Sequence, residues 1–169
     1  EHTVTIAVFQ NILALKAVKL AVPESLQNYE QISSAYKPKG YKKAEKGVLI
    51  EAESLSNKSD RSIVVTSDKT SPAVSPSGET LIRYNTVGGS SWKTVGEWVE
   101  WDVDIPQDGL YHIGFHYKQD LKEGNTTFRS LYIDGKIPFS EAKSLEFNYS
   151  SSWQNVILGN GEEEYLFYL

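Results

Sequence analysis

The chain has 169 residues, a formal net charge of -5 at pH 7 and no cysteine. This length is close to that of one domain and suffices to bury a hydrophobic core. The acidic balance argues against a nucleic-acid partner, because phosphate binding needs a basic surface. The absence of cysteine excludes disulfides and thiolate metal sites, and no apolar run has the length that insertion across a membrane requires.

The N-terminal part of the sequence predicts a strand, a helix and a linker, in that order. Residues 1–8 alternate between polar and apolar side chains, which is typical of a β-strand. From Pro23 to Tyr36 the apolar residues recur at the spacing of one helical face, which predicts a single short helix. Lys37-Pro38-Lys39-Gly40 should end this helix, because proline restricts the residue before it and glycine permits a reversal. The lysines from Lys37 to Lys46 are interpreted as a solvated linker.

Strong alternation in the middle of the chain predicts two consecutive strands. Trp98 to Ile105 alternates acidic with bulky apolar residues, and Leu110 to Tyr117 resumes the alternation. Between them Pro106-Gln107-Asp108-Gly109 should form a turn, in which Gly109 tolerates a positive φ. Further along, Asp134-Gly135 predicts a tight hairpin, because both turn positions need positive φ.

The aromatic residues of these two strands are expected to be structural. Trp98 and Trp101 lie within a regular strand, so core packing is favoured for both over a role in binding. Tyr111, Phe115 and Tyr117 share one strand face by their spacing, and we assign them to the interior or to its rim.

Several segments, in the same order, resemble the signature of carbohydrate-binding module families six and thirty-five. The stretch from Gly88 to Tyr111 is similar to their Gly-Asp-Trp-Val-Glu-Tyr, turn and Gly-x-Tyr pattern. Ile50-Glu51-Ala52-Glu53 resembles their opening strand, and Ser152-Trp153-Gln154 resembles their late Gly-x-Trp-Gln segment. With Tyr165-Leu166-Phe167-Tyr168-Leu169, the sequence also resembles paired modules appended to bacterial extracellular solute-binding proteins.

The resemblance implies an all-β fold, a galactose-binding-like jelly-roll β-sandwich with one short N-terminal helix. Residues 1–22 would be the closing strands of a preceding sister module, residues 23–47 a helix and linker, and residues 48–169 the module itself. We expect the strand from Thr3 to Val8 to lie beside Tyr165 to Leu169, because an unpaired sheet edge favours aggregation. This completion would occur within one chain or by strand exchange in a dimer.

Sugar binding needs flat apolar rings for the C–H face of a sugar and polar planar groups for its hydroxyls. Trp92 and Trp153 each follow a loop of small residues that can present an indole, and the resemblance places them near the aromatic pair that sandwiches a sugar in family six. Tyr84 and Asn85, just before the glycine loop, are further candidates. The resemblance also places Asn11 where a hydroxyl-binding asparagine often lies. The alternative is that both indoles plug the ends of the sandwich.

A structural calcium near Glu51 and Glu53 is common in modules that the chain resembles. Two glutamates two positions apart in a strand point to the same side and can share a hard cation. The resemblance places Lys16 where such modules have an aspartate ligand. We therefore expect an ion pair from Lys16 to Glu51 or Glu53, with no metal and no other cofactor.

Together these features favour a non-catalytic carbohydrate-binding module from an extracellular or cell-surface bacterial protein that captures oligosaccharides or polysaccharides. An enzyme is disfavoured, because glycoside hydrolysis needs two carboxyl groups that face each other across a cleft. The candidate acids lie close together along one predicted strand instead: Glu97, Glu100, Asp102 and Asp104. The alternative function is a structural spacer or a protein-interaction β-sandwich without sugar binding.

Overall fold

The computed structural model describes residues 2–5, 14, 16–18, 20, 25–69, 84–121 and 123–169. Within these ranges the protein is mostly β, with one short α-helix near the N-terminus, as predicted. None of the helices in these ranges has the length and hydrophobicity needed to span a membrane. Asn11 lies outside the described residues, as do all other residues of 6–13 and 70–83.

The regular elements are short. Helix α1 spans Tyr29–Ser34, and two 3₁₀ turns span Gly89–Ser91 and Ser140–Lys143. The strands in chain order are β1 (Asn57–Lys58), β2 (Val65–Thr66), β3 (Thr86–Val87), β4 (Val99–Glu100), β5 (Leu110–Tyr111), β6 (Gly114–Gln119), β7 (Thr126–Arg129), β8 (Leu145–Asn148), β9 (Ser150–Ile157) and β10 (Phe167–Tyr168).

The described strands pair two by two as antiparallel ribbons. The pairs are β1 with β4, β2 with β3, β5 with β10, β6 with β9 and β7 with β8. The β6–β9 ribbon is the longest, running from the Gly114–Ile157 pair to the Gln119–Ser150 pair, with a register shift after Tyr117. A jelly-roll arrangement of these ribbons stays a prediction.

Helix α1 begins at a capping box. The Asn28 side chain accepts a hydrogen bond from the Gln31 amide at 2.9 Å, and the Gln31 side chain accepts one from the Asn28 amide at 3.0 Å. These bonds satisfy donors that have no partner within the helix. The helix ends at Ser34, inside the segment from Pro23 to Tyr36 in which it was predicted. The chain then turns, and Gly40 adopts a φ of 74°.

Two tyrosines of the helical segment bind the backbone of Leu166 beside β10. The Leu166 amide donates to the Tyr29 hydroxyl at 2.9 Å, and the Tyr36 hydroxyl donates to the Leu166 carbonyl at 3.0 Å. Burial raises the pKa of both tyrosines. Residues 2–5 are exposed and form no strand. The remainder of the predicted N-terminal strand lies outside the described residues, so its pairing with the C-terminal segment stays a prediction.

The hydrophobic core is centred on Phe139, which has 0% exposure. Its ring lies 5.1 Å from that of Tyr29, 5.0 Å from that of Tyr165 and 5.3 Å from that of Phe167, measured between centroids. These distances are typical of favourable aromatic pairs. The other buried members of the cluster are Ala142, Leu145 and Leu158. The core therefore joins helix α1 to the C-terminal segment.

The β6–β9 ribbon has two different faces. On one face Phe115 and Tyr117 make edge-to-face contacts with Phe147, at centroid distances of 5.6 Å and 5.1 Å. This face packs toward the core, as predicted for Phe115 and Tyr117. Because side chains alternate along a strand, His116 and Lys118 lie on the opposite face. We call that opposite face of the ribbon the outer face.

One predicted turn is confirmed and one has a different basis. Asp134 and Gly135 have φ values of 49° and 71° and connect the bridged residues Ile133 and Lys136, as a tight hairpin requires. Gly109 does not have positive φ. An added Cβ at Gly109 would lie 3.1 Å from the carbonyl oxygen of Lys42, so the close approach of another backbone segment accounts for this glycine.

The expectation of one regular strand from Trp98 to Ile105, with acidic and apolar residues on opposite faces, is wrong beyond Val99–Glu100. Only Val99–Glu100 pairs as a strand, because serine hydroxyls take the flanking amides. The Trp98 amide donates to Ser59 Oγ at 2.9 Å, and the Asp102 amide donates to Ser56 Oγ at 2.8 Å. Trp98 is 44% exposed, so its predicted place in the core is wrong as well.

The other indole of this segment, Trp101, is half-buried, and its Nε1 donates to the Ala52 carbonyl at 3.2 Å. That carbonyl lies within the segment Ile50 to Glu53, which was expected to be an opening strand. The segment forms a turn instead, in which the Ser54 amide donates to the Glu51 carbonyl at 3.0 Å.

The core assignment predicts very different costs for two phenylalanine truncations. Phe139→Ala should lower the free energy of unfolding by about 3–5 kcal/mol, because it leaves a cavity among packed rings. Phe128 is 54% exposed, and Phe128→Ala should cost within about 1 kcal/mol. Urea unfolding followed by circular dichroism measures both. Equal losses would contradict the assignment of Phe139 to the centre of the core.

Candidate functional site

Asn85 holds the backbone of Asp68 next to the β2–β3 ribbon. The Asp68 amide donates to Asn85 Oδ1 at 2.8 Å, and Asn85 Nδ2 donates to the Asp68 carbonyl at 2.9 Å. Asn85 is itself buried, so both polar atoms of its amide need partners. Asn85, predicted as a sugar contact, therefore positions Asp68 in this structure.

The Asp68 carboxylate connects this loop to the outer face of the β6–β9 ribbon. Its Oδ2 accepts hydrogen bonds from Lys118 Nζ at 2.8 Å and from Trp153 Nε1 at 3.2 Å. The Asp68 and Lys118 side chains are only 13% and 17% exposed. The hydrogen bond that Lys118 donates to Asp68 raises the pKa of Lys118, and burial opposes this shift. Asp120 adds a second carboxylate at 3.4 Å from Lys118 Nζ.

A stacked ring pair lies beside this ion pair. The His116 imidazole stacks on the Trp153 indole with centroids 5.1 Å apart and planes 14° apart. His116 Nδ1 lies 2.7 Å from Asn155 Oδ1. A hydrogen bond between these two atoms needs the proton on Nδ1, because an amide oxygen only accepts hydrogen bonds. Lys118 Nζ lies 5.6 Å from the centre of the Trp153 ring, within cation–π range.

These side chains converge because of the ribbon register. His116 pairs with Asn155 across the ribbon, so Trp153, two residues before Asn155, lies on the same face beside Lys118. His116 and Asn155 are exposed, whereas Trp153 is half-buried. We call the following residues the outer-face cluster: Asp68, Asn85, His116, Lys118, Asp120, Trp153 and Asn155.

Trp92, the other predicted indole, is held in a different way. The Arg129 guanidinium lies over its ring at 4.7 Å, and Arg129 Nη2 donates to the Trp92 carbonyl at 3.3 Å. Trp92 Nε1 donates to the Glu97 carbonyl at 3.3 Å. Burial lowers the pKa of Arg129, against the opposing effect of Glu97. Trp92 is half-buried, and one face of its indole is covered by the guanidinium.

The predicted sugar-binding residues therefore fall into two groups. Trp153 and Asn85 are connected through Asp68. Tyr84 precedes Asn85 in the chain and is exposed. Trp92 lies with Arg129, and no hydrogen bond or ring contact between described residues joins it to the outer-face cluster.

Sequence patterns alone missed several members of the cluster. His116 and Lys118 are two residues apart, and so are Trp153 and Asn155. This spacing indicates that the two members of each pair share a strand face. That signal becomes useful only when the partner of each strand is known. Nothing in the sequence around Asp68 marks this residue, because its role depends on contacts with distant parts of the chain.

The predicted ion pair of Lys16 is not found among the described residues. Lys16 is exposed, and it forms no ion pair with Glu51 or Glu53 among the residues that the structure describes. One oxygen of the Glu53 carboxylate is buried without a hydrogen-bond partner in the described part. Within the same ranges no group of three or more His, Asp or Glu side chains is arranged to hold a metal ion.

The two carboxylates near Lys118 should differ in their contribution to stability. Asp68→Asn removes the charged acceptor of two hydrogen bonds in a buried setting, and should cost about 1–3 kcal/mol of unfolding free energy. The matched change Asp120→Asn acts at a side chain that is 47% exposed, and should cost less than about 1 kcal/mol. Urea titration of both variants measures the difference. A larger loss for Asp120→Asn would contradict the central position of Asp68.

Comparison with known proteins adds no assignment to this geometry. No family model matches the chain, and neither a curated protein nor a solved structure is found to be similar to it.

Proposed function

We propose that the protein is a non-catalytic carbohydrate-binding module with a jelly-roll β-sandwich fold, and that the outer-face cluster binds oligosaccharides or polysaccharides. The observation that carries this proposal is the His116–Trp153 stack beside carboxylate, amide and ammonium groups. A sugar needs both kinds of surface, because it has an apolar C–H face and a ring of hydroxyls.

In the proposed complex the sugar ring lies against the His116–Trp153 pair. His116 is exposed, and its imidazole is supported from beneath by the indole. The Asn155 amide is exposed at the same edge and can donate and accept hydrogen bonds with hydroxyls. The Asp120 carboxylate, which is partly solvated and lies 3.4 Å from Lys118 Nζ, provides a further acceptor.

The rigidity of this arrangement supports binding. The Trp153 indole is fixed along its edge by Asp68 and on one face by His116. Asp68 is in turn fixed by Asn85 and Lys118. A preorganised surface loses little conformational entropy when a ligand binds. The cluster would therefore offer a sugar a surface that needs little rearrangement.

The sequence motifs support the same proposal. The segments that resemble carbohydrate-binding module families six and thirty-five include Trp153 itself. On the basis of that resemblance we propose that this chain is a part of a larger extracellular or cell-surface bacterial protein that captures sugars. The Trp92–Arg129 pair and the exposed Tyr84 ring are secondary contact candidates, whereas Asn11 lies outside the described residues.

The proposal predicts which tryptophan matters for binding. A glycan array followed by calorimetry with the best saccharide should give a measurable affinity. Trp153→Ala should weaken that affinity at least about tenfold, because truncation of a central aromatic anchor has large effects. Trp98→Ala removes an exposed indole outside the cluster and should leave the affinity unchanged.

A second variant separates binding from folding, because Trp153→Ala also removes a hydrogen bond to Asp68. Asn155 is exposed, and Asn155→Ala should weaken binding about fivefold through the loss of one hydrogen bond, with unchanged circular dichroism. A silent array, or equal losses for Trp98→Ala and Trp153→Ala, would refute the proposed site. A silent array would favour the spacer function.

A further inference from the structure

A second concave surface shares no lining residue with the outer-face cluster. It is a groove of about 280 Å³ between helix α1, the turn that follows the helix, the Asp134-Gly135 hairpin and β10. We call it the tyrosine groove. Its lining residues are Ile32, Tyr36, Lys39, Tyr41, Ile133, Lys136, Pro138, Phe167 and Tyr168.

Tyrosine rings form one side of the tyrosine groove. Tyr41 and Tyr168 stack with centroids 3.7 Å apart and planes 12° apart, and the Tyr36 ring lies 6.0 Å from that of Tyr41. The hydrogen bond from Tyr36 to the Leu166 carbonyl holds this ring in place. Tyr168 is exposed. The groove therefore presents a fixed aromatic surface to solvent.

Two lysines supply the charge of the groove. Lys39 follows helix α1, and its Nζ lies 5.7 Å from the centre of the Tyr41 ring. Lys136 is presented by the hairpin, and both lysines are exposed. The described lining contains no carboxylate, although the chain as a whole has a net charge of -5. A neighbouring cavity of about 410 Å³ has the opposite character, since Glu30, Glu141 and Glu163 line it.

We infer that the tyrosine groove binds a single pyranose unit that carries an anionic group, either a carboxylate or a sulfate. The two lysines favour a ligand with a negative charge, because they form a local positive surface on an acidic protein. The groove, with a volume of about 280 Å³, lies near the lower end of the range for small-ligand sites, which suits one pyranose ring. The choice of a saccharide rests on the proposed function, whereas the preference for a negative charge does not.

The test is a titration of the isotope-labelled protein followed by nuclear magnetic resonance. The probes are galacturonate, galactose 6-sulfate, neutral galactose and benzoate. The first two should shift the backbone amide signals of Lys39, Tyr41 and Tyr168, and galactose should not. The two anionic probes distinguish a carboxylate from a sulfate. Lys39→Gln and Lys136→Gln should each lower the affinity for the anionic sugar by up to about fivefold, as expected for the loss of an exposed ion pair.

Matched variants and the remaining outcomes make the test decisive. Lys143→Gln changes an exposed lysine outside the groove and should leave the affinity unchanged. Absence of groove shifts with both anionic sugars would overturn the inference, as would equal binding of galactose or tighter binding of benzoate. Signals of His116 and Trp153 report the outer-face cluster separately. If the groove signals shift while those of His116 and Trp153 respond to no saccharide, the outer-face cluster is refuted as a sugar site and the inference about the groove stands.

Discussion

The packing around Phe139 is the interaction on which the rest of the structure depends. This buried ring contacts Tyr29 from helix α1 and Tyr165 and Phe167 from the C-terminal segment. Most strands here are only two to four residues long, so their own hydrogen bonds provide little independent stability. The aromatic cluster instead fixes the C-terminal segment, and the Tyr165 amide then bonds Leu158 at the end of β9.

In the β6–β9 ribbon, the alternation of side chains places core residues on one face and the proposed binding residues on the other. Phe115 and Tyr117 face Phe147 and the core, whereas His116 lies on the outer face. A one-residue shift in register would exchange the two faces. The contacts with Phe147 therefore also determine which side chains meet Trp153. In this way the core would set the geometry of a sugar-binding surface that it does not itself form.

Local signals in the sequence predicted local structure well. The hairpin at Asp134-Gly135 and the single helix near Tyr29 depend on residues close together in the chain. The segment from Trp98 failed because serines from another segment bind its amides, which no pattern within the segment reveals. Likewise, Trp153 was predicted as a site residue, but its partner Asp68 is 85 positions away in sequence. Long-range contacts of this kind cannot be inferred from one sequence.

The proposed function depends most on the binding of a sugar ring by the His116–Trp153 pair. The most direct measurement is a structure of the protein in complex with the saccharide that binds best on an array. We expect a sugar ring in van der Waals contact with that pair, with at least one hydroxyl hydrogen-bonded to the Asn155 amide. A saccharide bound elsewhere on the protein, with no contact to either ring, would contradict this proposal.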